Sequence, residues 1–333
     1  MRRFWMIMSA VLLPVAMATV AAAGPASAHQ APGTYRMVDL GGLGGTWTVP
    51  SAINNRDEVA GYSATAGNVN HPFLWRAGTL VDLGALPGSA DGWGVARDLN
   101  DLSQVVGTSE AGAFLWDRGV MTALRGPDGA LSSAEAINNR GQIVGTYYVS
   151  SSGAPHGFLW QGGTLTDLGE IDPVDINDRG EILAGRYVEG SGYRACIWRG
   201  GRLTDLELDM PIAINNQGWV AGVAVGSDYG IRAFLWRSGT TAQLGTLGGT
   251  SDWPTAINDR GQILGTSRTA NEELHGVIWQ GGRTIDLSTR GVVLETVTGQ
   301  ANPGSLSGIN NRGHFAADLA LPPDWVGPGV LFR

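Results

Sequence analysis

A nine-residue phrase that returns along the chain at a nearly fixed interval constrains the fold more than any other feature. Ile137-Asn138-Asn139-Arg140-Gly141-Gln142-Ile143-Val144-Gly145 comes back as Ile257-Asn258-Asp259-Arg260-Gly261-Gln262-Ile263-Leu264-Gly265 and as Ile176-Asn177-Asp178-Arg179-Gly180-Glu181-Ile182-Leu183. Variants start at Ile53, Leu99, Ile214 and Ile309, which makes seven copies. From Asn54 to Asn310 six steps cover 256 residues, about 43 per unit, the length of one four-stranded propeller blade. No stretch sustains a helical period.

Turn chemistry divides each unit into four short strands. The first ends at the Ile-Asn pair. An Asn-Asn-Arg-Gly or Asn-Asp-Arg-Gly turn, in which Asn or Asp favours the turn and Gly supplies a positive φ, leads to the second. The third is Phe158-Leu159-Trp160 or its equivalent, and a Gly-Gly turn such as Gly162-Gly163 or Gly281-Gly282 reaches the fourth, Thr164-Leu165-Thr166-Asp167-Leu168.

The chain ends point to a closed ring. After the seventh Ile-Asn copy the chain reaches Val330-Leu331-Phe332-Arg333, a third strand, and has no fourth. Near the other end, Tyr35-Arg36-Met37-Val38-Asp39-Leu40 is a fourth strand without the first three. Pairing the two completes a seventh blade and removes the free edges that invite aggregation. The expected fold is therefore all-β: a seven-bladed β-propeller, four antiparallel strands per blade, closed by the N-terminal strand. An open β-solenoid, the alternative, has no reason to begin one strand out of phase.

Met1-Arg2-Arg3 precedes an apolar stretch from Phe4 to Ala23 and the small-residue run Ala26-Ser27-Ala28. This is the pattern of a secretory signal over residues 1–28, which leaves residues 29–333 as a single domain, secreted and extracellular. An uncleaved anchor is the other reading, since the run approaches spanning length. No second apolar run follows, so no integral membrane segment is expected after signal removal. The chain has 22 Lys and Arg against 30 Asp and Glu; loss of Arg2 and Arg3 leaves 20 bases and a charge near −10. An acidic surface repels phosphate backbones and anionic lipid, which excludes nucleic acid and membranes as expected partners. Cys196 is the only cysteine, so closure and packing must supply the stability a disulfide would give. It stands where Phe73, Phe114, Phe158 and Phe234 stand in other blades, which reads as a buried, inert thiol.

The runs His71-Pro72-Phe73 and His156-Gly157-Phe158 and the pairs Ala113-Phe114 and Ala233-Phe234 resemble those of the extracellular HAF-repeat family, over nearly the whole mature chain. The resemblance implies an exported bacterial repeat protein and supplies no mechanism. Arg194, Arg232, Gly112 and Gly329 replace the His elsewhere, so the His is not required in every blade.

Residues shared by all blades build blades, whereas a site needs asymmetry. Trp75, Trp116, Trp160, Trp198, Trp236 and Trp279, with Phe332 as the seventh, are expected between neighbouring blades. Asp82, Asp167, Asp205 and Asp286 are expected to bond locally to the following turn. No Asp-x-Asp-x-Asp-Gly loop suggests calcium, and His71, His156 and His275 share one repeat position and lie blades apart, so no metal and no cofactor is expected. No Gly-x-Ser-x-Gly or His-Glu-x-x-His motif occurs, so no catalytic residue is assigned.

The first and third turns are short, while the second and fourth connections vary and fall together on the opposite face of the ring. Variable loops on a rigid scaffold are where binding usually sits. They carry aromatics the repeat does not demand: Trp47, Trp93 and Trp253 in connections entering blades, and Tyr147, Tyr148, Tyr187, Tyr193, Tyr229 and Trp325 between second and third strands. Flat aromatic faces suit sugar rings and protein hot spots alike, though each ring also reads as a plug for its own loop. A second asymmetry is Asp98 and Asp175, which stand before the Leu or Ile where other blades carry Ala52, Ala136, Ala213, Ala256 or Gly308. Two acids near a channel mouth fit either a glycosidase-type pair or solvated or paired carboxylates, with Arg97 the local partner for Asp98. The leading expectation is a monomeric, non-enzymatic binding or scaffold propeller for a polysaccharide or another exported protein. A propeller enzyme acting on glycans, hydrolase or lyase, is the alternative, and a passive structural surface protein the third.

Overall fold

The computed structural model describes residues 34–89, 92–148, 155–190, 192–226, 230–292, 305–319 and 327–333. The expected signal over residues 1–28, Tyr229 and Trp325 lie outside the described residues. In blade 3 the Asn139-Arg140-Gly141 turn joins Ser132–Ile137 to Ile143–Tyr148, and Gly162-Gly163 joins Pro155–Gln161 to Thr164–Gly169. All neighbours pair antiparallel in sequence order. The same meander repeats in blades 1 to 6, at residues 44–82, 94–124, 132–169, 172–205, 210–243 and 248–286. Blades 5 and 6 are further linked by a parallel pairing of Ile231 with Ser251.

The seventh blade takes strands from both ends of the described chain. Its order is Met37–Asp39, Gly329–Phe332, Phe315–Asp318, Leu306–Ile309. Met37 faces Phe332, Val38 faces Leu331 and Asp39 faces Val330. Main-chain bonds extend the pairing, from Leu40 N to Gly329 O at 2.9 Å and from Arg36 N to Arg333 O at 2.8 Å. The protein is thus an all-β, seven-bladed propeller closed by its N-terminal strand.

One packing constraint explains the glycine that ends the repeated phrase. In every blade the first strand bulges beside the second, as between Ala134 and Ala136, and in the five blades with glycine at that position the first strand's backbone closes on it. A Cβ on Gly145 would meet Ser133 O at 1.9 Å, and one on Gly61 would meet Val49 O at 2.1 Å. Blades 4 and 7 carry Ala184 and Ala317 there instead.

The core lies between blades. Trp75 and Trp279 are almost fully buried, Trp116, Trp236 and Phe332 are buried, and Trp160 and Trp198 are partly so. Cys196 is fully buried, and burial pushes its thiol up to about 11.

Candidate functional site

The seven turns, six Ile-Asn and one Leu-Asn, converge on one end of the channel, around a pit of about 200 Å³. Its rim is two closed hydrogen-bonded rings. In the inner ring the first Asn of every turn donates through Nδ2 to the backbone carbonyl of the same Asn in the next blade. The order runs Asn54, Asn100, Asn138, Asn177, Asn215, Asn258, Asn310 and back to Asn54, at 2.8–3.1 Å throughout. The same side chain folds its own turn, since Asn138 Oδ1 accepts from Arg140 N and Gln142 N, both at 3.0 Å.

The outer ring uses the second residue of each turn, which alternates between amide and acid: Asn55, Asp101, Asn139, Asp178, Asn216, Asp259, Asn311. Each backbone N–H donates to the side chain of the next blade at 2.7–2.9 Å. Asn139 and Asn216 both donate Nδ2 to Asp178 Oδ2 at 3.0 Å. Alternation keeps carboxylates from becoming neighbours, which would be repulsive. The single amide–amide junction of an odd ring falls between Asn311 and Asn55, where Asn55 Oδ1 accepts from Asn311 N. Sequence reasoning assigned these residues to their local turns and missed the rings. The signal was present in the first Asn, which no copy replaces.

Asp98 and Asp175 line the pit. Each carboxylate bridges two backbone amides, its own strand's and the next blade's: Asp98 accepts from Leu99 N and Ile137 N, both at 2.8 Å, and Asp175 from Ile176 N at 2.7 Å and Ile214 N at 2.8 Å. Each keeps some contact with pit solvent, but the ring wall encloses it. Burial pushes Asp98 up to about 7, against the pull of its two amides and with the charge of Asp175 adding to it. Burial likewise raises Asp175 to about 6.

The seam where the ring closes has its own latch. Asp57 occupies the glycine position of its turn at φ 62°, a conformation unfavourable for an L-residue. Its carboxylate reaches into blade 7, accepting from Asn310 Nδ2 at 2.7 Å, His314 Nδ1 at 2.9 Å and Arg312 at 3.2 Å. Burial acts to raise Asp57, but these partners outweigh it and hold the carboxyl below its usual range.

On the opposite face the repeated His and Asp form cross-strand clamps. His71 meets Asp82 at 3.0 Å, His156 meets Asp167 at 3.1 Å and His275 meets Asp286 at 2.9 Å. The same carboxylates also take the expected turn amides, Gly84 N and Gly169 N at 2.8 Å and Ser288 N at 2.9 Å. In blade 4, Arg186 instead grips Asp205 with two bonds of 2.9 and 2.6 Å. Burial tends to raise Asp167 and Asp286, yet hydrogen bonds from the turn and the histidine hold both below the usual carboxylate range. The repeated histidine is therefore tied to a structural partner in each blade that has it.

The loop aromatics separate into groups. Tyr147 is 4% exposed and belongs to the core of blades 2 and 3, so it plugs its own strand and offers no surface. Trp47 and Trp253 lie within the ten-residue first strands Gly44–Ile53 and Gly248–Ile257, half-buried, rather than in entering connections; Trp47 donates Nε1–H to Asn70 at 2.8 Å. Trp93, Tyr148, Tyr187 and Tyr193 are exposed, at 37, 63, 75 and 40%. Tyr187 and Tyr193 face each other across one strand pair, and the Tyr193 hydroxyl donates to Asp172 at 3.1 Å. Leu131, Met210 and Val225 join them, so that seven of the ten exposed large apolar residues described share this face, all in or entering blades 2 to 5.

Among the described residues no three His, Cys, Asp or Glu side chains converge as metal ligands would, and no helix is long and apolar enough to cross a membrane.

No protein-family model matches the chain, and no curated protein does. Solved structures do. YCF48 bound to the D1 peptide matches at a TM-score of 0.54 with 11% identity, over 90% of this chain and 96% of that one. A puromycin-hydrolysing peptidase of Mycobacterium tuberculosis matches at 0.53 with 10% identity, over 86% of this chain and 50% of the peptidase. The extracellular domain of a hybrid two-component system from B. thetaiotaomicron matches at 0.51 with 10% identity, over 89% of this chain and 39% of that one. Identities this low establish the propeller fold, and a propeller hosts unrelated functions.

Proposed function

We propose that the protein is an exported, non-enzymatic binding or scaffold propeller that holds a polysaccharide or another extracellular protein on its variable-loop face. The observation that carries this reading is an exposed apolar crescent along blades 2 to 5: Trp93, Leu131, Tyr148, Tyr187, Tyr193, Met210 and Val225 each lie at or next to the variable-loop end of a strand. Exposed apolar residues gathered on one face, unlike scattered ones, mark interaction surfaces. The secretory pattern at residues 1–28 and the HAF-like runs support an extracellular setting.

A glycan-cleaving propeller would need one acid and one base or nucleophile free to reach a sugar. Asp98 and Asp175 share one cavity with the rim acids Asp101, Asp178 and Asp259, but the first two are each engaged by two backbone amides and the rim acids each accept from the preceding blade's turn. Their pit of about 200 Å³ is also below the range of ordinary ligand pockets. Both observations favour binding over catalysis.

The test is a polysaccharide array probed with the native protein and with the Tyr148→Ala/Tyr187→Ala/Tyr193→Ala variant, whose melting temperature should match the native value. Glycan binding lost in the folded variant is the expected result. Binding that survives the triple substitution removes the crescent as the site, and no glycan binding by the native protein removes the polysaccharide form of the proposal.

A further inference from the structure

A further cavity lies apart from both sites described above. It is a groove of about 590 Å³ between blades 5 and 6, on the short-turn side of the ring, and that volume is within the range of small-ligand pockets. Two departures from the repeat line it. Position four after the inner-ring Asn is polar in six blades, Glu58, Gln104, Gln142, Glu181, Gln262 and His314, but in blade 5 it is Trp219. In four of those blades this side chain meets the residue at the end of the third strand: Gln104 with Asp117, Gln142 with Gln161, Gln262 with Gln280, and Glu181 with Arg199 at 2.7 Å. In blade 5 the same pair is Trp219 with the Arg237 guanidinium 5.0 Å from its ring centroid. The second departure is Ala242, opposite Leu235, where other blades have Val38, Val81, Thr122, Thr166, Thr204 or Ile285.

The groove is lined by Trp219, Leu235 and Trp279 together with three exposed arginines, Arg237, Arg260 and Arg283. Blade 4 balances Arg179 and Arg199 on Glu181 at 2.6 and 2.7 Å. Trp219 removes that carboxylate from blade 5, and among the described residues none of the three arginines has an ion-pair partner. In a chain of net charge −8, three arginines without counter-charge around one apolar cavity are complementary to an anion on an apolar body. Arginine favours such a partner because its planar group stacks on rings and pairs bidentately with carboxylates.

We propose that the groove between blades 5 and 6 is a binding site for a small organic anion, a carboxylate carried on an aromatic or other apolar body. The apolar part lies against Trp219, and the carboxylate meets the exposed arginines. The site is independent of the variable-loop face.

The test uses 2-naphthoate, titrated into the full protein by calorimetry, with 2-naphthylmethanol as the uncharged comparison. The variants are Trp219→Gln, which installs the residue that blades 2, 3 and 6 carry, and Arg237→Gln/Arg283→Gln; unchanged melting temperatures establish that both fold. The native protein is expected to bind naphthoate, and both variants and the neutral compound are expected to lose about tenfold or more in affinity, as removal of a charge-assisted or stacking contact implies. No naphthoate binding at millimolar concentration overturns the proposal. So does equal binding of the alcohol, or an unchanged affinity in either folded variant.

Discussion

Asp98 and Asp175 occupy positions that are alanine or glycine in the other five blades, and each uses its two oxygens to tie one blade's backbone to the next. The asymmetry was legible in the sequence as a departure from the repeat. Its partner was not, because Ile137 N and Ile214 N lie 39 residues downstream and meet the carboxylates only when the ring is closed. Confinement in the pit gives these groups a stability cost that depends on pH. Their folded values, about 7 and about 6, lie above an unfolded value near 3.9. The folded state therefore binds more protons than the unfolded state between about pH 4 and 7, and stability falls as pH rises through that window. Melting curves of the native protein and the Asp98→Ala/Asp175→Ala variant should show this: the native protein loses melting temperature relative to the variant between pH 4.5 and 8. A difference that does not change with pH would show that the pit does not perturb the pair. Tyr147 makes the residue-scale limit plain from the other side. Its position beside Tyr148 suggested a loop aromatic, but strand alternation turns Tyr147 inward and Tyr148 outward.

The turn that follows each first strand does more than reverse the chain. Asn138 is 3% exposed; it holds two amides of its own turn and donates to the Asn177 carbonyl of the next blade. Replacing it with Ala strands buried donors and acceptors, so Asn138→Ala should cost on the order of 3 kcal/mol in denaturant unfolding. Asn139→Ala, whose side-chain bonds are exposed, should cost much less. Equal costs would mean that the inner ring has no special role. Strand count, turn positions and the inter-blade tryptophans were readable because they follow from alternation and local turn chemistry. The ends of the first strands in blades 1 and 6 were not. Leu43 pairs with Thr65 and Leu247 with Thr269 in isolated parallel bridges, and the first strands extend back to Gly44 and Gly248 across register shifts that local turn chemistry does not signal. The groove between blades 5 and 6 was also missed, because its lining comes from two blades whose residues meet only in the closed ring.

Closure is the property of the whole molecule from which the rest follows. The inner and outer Asn rings, the Asp57 latch and the seventh blade all cross the seam between the first and last repeats. The sequence made closure legible through two incomplete repeats, a fourth strand near one end and three strands near the other. It left the function open, because the repeat dominates the pattern and the proposed binding surface is made of its exceptions. The closing strand buries Leu40 against Phe73 and Leu331 and sets Tyr35 edge-on to Phe315 at 4.8 Å. Residues 34–40 therefore decide whether the ring holds. The direct measurement is thermal unfolding of two truncated chains, one starting at Thr34 and one at Gly41. The chain starting at Gly41 is predicted to melt on the order of 10 °C or more below the other, since several kcal/mol of burial and pairing are lost. Equal melting temperatures would contradict a ring closed by its N-terminal strand.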